Sequence, residues 1–110
     1  MANVEVKGQL YHKFHGTYWC QMILVFADEA SARDAQRVLG EPFKVAEKKP
    51  DVVVVALNGD QLKAFKARLI AWGWSEKEVR KVDSCAKSID CGEPFKGKIP
   101  ITPAEQAALF

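Results

Sequence analysis

Two histidines and three cysteines are the candidate soft-metal ligands in this 110-residue chain: His12, His15, Cys20, Cys85 and Cys91. Zinc takes four ligands in tetrahedral geometry, usually from closely spaced pairs. No Cys-x-x-Cys pair is present, and the six-residue step from Cys85 to Cys91 would put the two thiols on different sides of a helix. His12 and His15 are close in sequence, but on a strand they would face opposite sides. A catalytic thiol needs a base within hydrogen-bond reach and an oxyanion site. Cys20 could meet a histidine across a hairpin, and a small cysteine–histidine enzyme is the third-ranked reading. The carboxylates Asp28, Asp51, Asp60, Glu78 and Glu105 all sit where caps and turns use them. Asn58-Gly59-Asp60 is a helix start without the lysine and glycine spacing of a phosphate loop. No metal or cofactor is implied.

Two sets of residues suit binding instead. Lys7, Tyr11, Lys13, His15 and Tyr18 interleave aromatics and cations in the first 18 positions, and Phe14 and Trp19 lie among them. Aromatics at that density are typical of protein-contact hot spots. The second set is basic: Lys63, Lys66, Arg68, Lys77, Arg80, Lys81 and Lys87 against Glu76, Glu78 and Asp83. On adjacent helices they would form a phosphate-tracking face, although lysines also serve simply to keep a helix face soluble.

Composition frames these readings. A net charge of +2 is low for a dedicated nucleic-acid domain, and 48% hydrophobic content suits one globular domain spanning residues 1–110. The longest apolar runs, Met22–Ala27 and Val52–Leu57, are of strand length, too short for a membrane span. The start lacks the features of a secretory signal. Three cysteines cannot all pair within the chain, so reduced thiols and a cytoplasmic location are expected.

The elements that would position these residues follow from periodicity and punctuation. Val4–Phe14 alternates, with Gly8 as a bulge signal. Val4, Val6, Leu10, His12 and Phe14 would share one face, and Glu5, Lys7, Gln9, Tyr11 and Lys13 the other. His15-Gly16-Thr17 turns the chain into a strand from Tyr18 to Ala27, apolar on both faces and therefore central. Asp28 caps a helix ending at Gly40. Phe43–Glu47 reads as an edge strand and Val52–Leu57 as a second central one. Asn58 opens a helix that stops at Gly73, with Trp74 folding back on Leu69. Ser75-Glu76-Lys77-Glu78 is a capping-box pattern that predicts a third helix toward Ile89, with a strand over residues 79–85 as the alternative. Residues 92–110 read as an extended tail, with a short terminal helix starting at Thr102.

The pattern predicts an α+β domain with a ferredoxin-like (split βαβ), four-stranded, mostly antiparallel sheet. Two helices lie on one face, the N-terminal strand forms an edge, and the Tyr18 strand runs parallel to the Val52 strand. The opposite face needs a cover, from the third helix and tail or from a second copy of the chain as a homodimer. Gly40-Glu41-Pro42-Phe43-Lys44 recurs as Gly92-Glu93-Pro94-Phe95-Lys96, read as one helix-stop device used twice. Fold alone does not name a function. The leading expectation is a non-catalytic adaptor, regulator or inhibitor binding another protein through the hairpin and its exposed edge. Nucleic-acid binding through residues 63–87 is the alternative.

Overall fold

The computed structural model describes residues 1–87, 92–102 and 104–105. It contains β1 (Ala2–Phe14), β2 (Thr17–Phe26), α1 (Glu29–Leu39), β3 (Lys44–Val45), β4 (Val52–Asn58), α2 (Gly59–Ala71), α3 (Glu76–Val79) and β5 (Phe95–Ile99), with a 3₁₀ turn at Arg80–Ser84 after α3. The five strands form one antiparallel sheet in the order β3-β4-β2-β1-β5.

Each boundary has a local cause. Asp28 accepts a 2.7 Å hydrogen bond from the Ser31 amide and opens α1; the bond holds its carboxyl below the usual range. Asn58 and Gln61 form a reciprocal capping box at α2, with bonds of 2.9 and 3.1 Å. At the other end of α2, Gly73 adopts φ 93°, its amide donates to Ile70 and that of Trp74 to Leu69. That paired closure is the Schellman pattern, and it turns Trp74 back over the sheet.

The first four strands follow the expected plan, with two corrections. β2 and β3 are the parallel pair joined by α1, and β4 inserts between them antiparallel to both. The Tyr18 and Val52 strands are therefore neighbours in opposite directions. The second correction is a fifth strand. β5 pairs with Ala2–Val6 on the outer side of β1, so the N-terminal strand is no edge there. Gly97 in β5 has a specific reason: a Cβ at that position would enter the Trp74 indole, whose Nε1 donates to Lys98 O at 2.8 Å.

The GEPFK echo begins both edge strands. Phe43 leads into β3 and Phe95 opens β5 at opposite margins of the sheet, both buried. The two glycines differ physically. Gly40 adopts φ 71° at the end of α1, whereas Gly92 lies so close to Gln9 that a Cβ would come within 2.6 Å of that side chain.

The third helix is shorter than expected: four residues of α-helix, then the 3₁₀ turn to Ser84, with Ala86 bridging to Leu10. Ile89, Cys91 and the terminal segment from Gln106 lie outside the described residues. Val79 and Val82 are buried in the same core as Leu62, Phe65 and Leu69 of α2 and Ala32, Ala35 and Leu39 of α1. All three helices thus share one layer against Val4, Val6, Cys20, Met22, Leu24, Val53, Val55 and Leu57. Among the described residues, neither α3 nor the segment 92–102 covers the opposite face, where Ile23, Val25, Val54 and Ala56 remain partly exposed.

Gly97→Ala should therefore lower stability by about 1–3 kcal/mol, the usual cost of overpacking. Gly59→Ala, where a Cβ meets nothing within 4 Å, should be neutral or slightly stabilising. Urea denaturation of the two variants measures the contrast.

Candidate functional site

A two-for-one irregularity in β1 decides where the N-terminal residues point. Lys7 pairs with Ile23 and Leu10 with Gln21, so Gly8 and Gln9 together oppose Met22. Gly8 takes φ 62°, which fits a bulge led by a left-handed glycine. Gln9 turns into the core, fully buried, and its amide nitrogen donates to Glu93 O at 2.6 Å. The backbone of residues 9–11 also bonds with Ala86: Tyr11 N to Ala86 O at 3.1 Å, and Ala86 N to Gln9 O at 3.4 Å. The outer side of β1 is thereby occupied over residues 2–6 and again at 9–11.

Beyond the bulge the faces exchange. Leu10 and His12 pair with Gln21 and Trp19 on the open face of the sheet, while Tyr11 and Lys13 pair with Cys20 and Tyr18 on the helix side. The expected set Lys7, Tyr11, Lys13, His15 and Tyr18 is therefore split. Lys7 belongs to the open face. Tyr11, Lys13 and Tyr18 share the helix side near the hairpin tip, with Lys13 Nζ 5.4 Å from the Tyr18 ring centre. His15 sits in the turn, φ 49°, ahead of Gly16 at φ 79°, the two positive angles of a two-residue type I′ hairpin. Its ring meets the Phe14 ring edge-on at 4.2 Å. The tip is strongly exposed: Tyr11 39%, Phe14 61% and Tyr18 64%. Phe14 follows Leu10 and His12 onto the open face at the hairpin tip, and Trp19 on the same face is only partly covered.

The basic set is divided in another way. Lys66 pairs with Asp83 at 3.2 Å, Arg80 with Glu76 at 3.6 Å, and Lys81 with Glu78 at 3.0 Å and Glu93 at 3.8 Å. Arg68 donates to the Leu39 and Val38 carbonyls at 3.2 and 3.0 Å and stacks 4.8 Å over Trp72, and burial lowers its pKa. Lys63, Lys77 and Lys87 are exposed and outside any ion pair among the described residues.

Glu78 does more than balance Lys81. Its second oxygen accepts the Lys96 amide at 3.1 Å, so one outward backbone group of β5 is satisfied, as Trp74 satisfies another. An edge sealed by side chains resists strand addition. The hydrogen bond from Lys81, and then that from the Lys96 amide, hold the Glu78 carboxyl below its usual range.

Cys20 and Cys85 are joined as a disulfide, which corrects the expectation of reduced thiols at these two positions. Cys20 is buried on the helix side, whereas His12 lies on the open face, so no cysteine–histidine pair forms across the hairpin. Among the described residues no group of three or more histidine, cysteine or carboxylate side chains could hold a metal ion, and no helix is long and apolar enough to cross a membrane. Comparison with protein-family models, curated proteins and solved structures finds no match. Geometry alone carries the functional reading.

The open face was marked by sequence reasoning as needing a cover, from the third helix and tail or a second copy, but its floor was not named as a site. Between the Ala46–Asp51 connection and β1 it forms a concavity of about 760 Å³ floored by Ile23, Val25, Val52 and Val54, with Lys7, Lys48 and Lys49 at its margins. The available signal was the unbroken apolar run of β2 and β4, which was read as burial on both sides.

Two measurements follow. Alkylation of denatured, unreduced protein should modify one of the three cysteines, and all three after reduction. Reduction should also cost up to about 4 kcal/mol of stability, the chain-entropy value for a loop of this length. For Glu78 the folded pKa is depressed, so its stabilisation is complete above the unfolded value and vanishes as pH falls through the folded one. The difference in urea midpoint between the native chain and Glu78→Gln should be largest near pH 6–7 and shrink below about pH 4.

Proposed function

We propose that the chain is a small non-catalytic binding protein that recognises another protein through the tip of the β1–β2 hairpin. The observation that supports this most is the exposure of Tyr11, Phe14 and Tyr18 on strands whose register is fixed. An aromatic side chain left in water forgoes a large part of its burial energy. Three within eight residues, stiffened by backbone pairing, would lose little conformational entropy on docking. Lys13 and His15 beside them supply polar contacts at the rim.

Strand addition onto β1 is dropped from this reading, because β5 and Ala86 occupy its outer side. Nucleic-acid binding through residues 63–87 becomes the weaker alternative: Lys66, Arg80 and Lys81 are neutralised by neighbouring carboxylates, and Arg68 is turned onto backbone carbonyls.

The test is quantitative affinity capture from the native host, with nuclease present, using the unaltered chain and a Phe14→Ala/Tyr18→Ala variant. Exposed substitutions of this kind should shift stability by no more than about 0.5 kcal/mol. Captured protein partners should fall at least tenfold with the variant. Full retention of every partner would reject the tip as the binding site.

A further inference from the structure

The open sheet face has an order that the hairpin reading does not use. Register places Lys7, Ile23, Val54 and Lys44 side by side in one row across β1, β2, β4 and β3. The next row sets Glu5, Val25 and Val52 side by side, and the rows toward the hairpin set Gln21 beside Ala56 and Trp19 beside Asn58. The result is a lane two strands wide, aliphatic over its first two rows, with Lys7 and Lys44 flanking the first row and Glu5 beside the second. Strands lie about 4.8 Å apart, so the lane is roughly 10 Å wide and its flanking lysines stand about 14 Å apart at the backbone. An α-helix with side chains is about 10–12 Å across.

We infer that this lane is a docking site for an amphipathic α-helix of another protein, with an aliphatic stripe against Ile23, Val25 and Val54 and acidic residues along both flanks.

Charge selects the occupant. Lys7, Lys44, Lys48 and Lys49 are exposed around the lane and none is in an ion pair among the described residues, in contrast to Lys66, Arg80 and Lys81. The nearby acids Glu5, Glu47 and Asp51 are fewer than the lysines. A second copy stacked on this face would bring lysine margins toward lysine margins, which opposes self-association. Over the first two rows the floor is valine and isoleucine, which offers no ring on which bases could stack. An extended peptide would want a free sheet edge. The β5 edge is sealed by Glu78 and Trp74, and β3 is two residues long.

The site is separate from the hairpin tip, and the two can fail independently. The probe is a synthetic helical peptide of about 18 residues, with leucines at i, i+3, i+4 and i+7 and glutamates flanking them. A twin peptide carries lysine in place of glutamate. Binding is read by fluorescence anisotropy and by backbone amide NMR shifts. The glutamate peptide should bind at least tenfold more tightly than its twin, with shifts centred on Lys7, Ile23, Val25, Lys44 and Val54. Lys7→Glu/Lys44→Glu should reverse that preference while leaving the melting temperature unchanged, and Phe14→Ala/Tyr18→Ala should bind like the unaltered chain. Equal affinity for the two peptides, shifts confined to the hairpin tip, or no reversal by the double charge swap would overturn the proposal. So would tighter binding to a single-stranded oligonucleotide or to anionic phospholipid vesicles, or self-association that buries this face.

Discussion

Among the described residues Gln9 is the one buried polar side chain in the core, and its position follows from the extra residue that Gly8 admits into β1. A buried carboxamide must find partners or lose the hydrogen bonds it had in water. Its nitrogen finds one in the Glu93 carbonyl, and its oxygen lies 3.8 Å from Cys85 Sγ. Both contacts reach into the segment that follows the 3₁₀ turn. That segment is then held a third time by Ala86 on the β1 backbone and a fourth by the bond between Cys20 and Cys85. With Cys85, Ala86 and Glu93 held against β1 and β2, Phe95 enters the core beside Val6 and β5 continues along the outer side of β1. One bulge thus accounts for the fifth strand, for the occupied edge and for the exchange of faces that brings Tyr11 to the helix side and turns Leu10 and His12 onto the open face.

The two sheet margins are closed by different means. β3 is too short to template another strand. β5 is long enough, but the Lys96 amide is taken by Glu78 and the Lys98 carbonyl by Trp74. Edge strands with free backbone groups invite aggregation, and side-chain capping removes that hazard without a further strand. The same Trp74 explains why a glycine is tolerated within β5: the indole lies where a side chain at residue 97 would go. Helix α2 ends in a left-handed glycine so that the next residue can reach this place, and a local turn signal therefore serves a long-range contact.

Much of the architecture was legible because it is written locally. Asp28, Asn58 and Gly73 mark helix ends that the backbone obeys, and the apolar runs of β2 and β4 place them at the centre of the sheet. β5 was not legible as a strand because Lys96-Gly97-Lys98 has little β-propensity of its own, and its pairing is dictated by Gln9 and Trp74, far away in sequence. The third helix was overextended because Ser75 does cap a helix, accepting the Glu78 amide, but Val82 and Cys85 are drawn to the core by contacts with α2 and β2. Gly8 signalled a bulge, yet alternation was carried through it unchanged, so Leu10 and Tyr11 were assigned to the wrong faces. The hairpin aromatics were found as residue types. Their exposure depends on where the helices stop, which no local pattern encodes.

The unpartnered face poses a different physical question from the hairpin. A sheet strand that is apolar on both sides is normally enclosed between two layers. Here, among the described residues, the three helices pack on one side only, and the partly exposed Ile23, Val25 and Val54 keep some of the hydrophobic gain unrealised. Lysines along the margins make that compatible with a dispersed protein, since their long stems shield aliphatic neighbours while their charges repel a second copy. The same margins would attract a partner of opposite sign. Stability alone would be served as well by threonine or serine on the floor and by mixed charges at the sides. A lane that combines β-branched floor residues with cations lacking counter-charges is better explained by a surface that completes its packing on binding than by one adapted only to water.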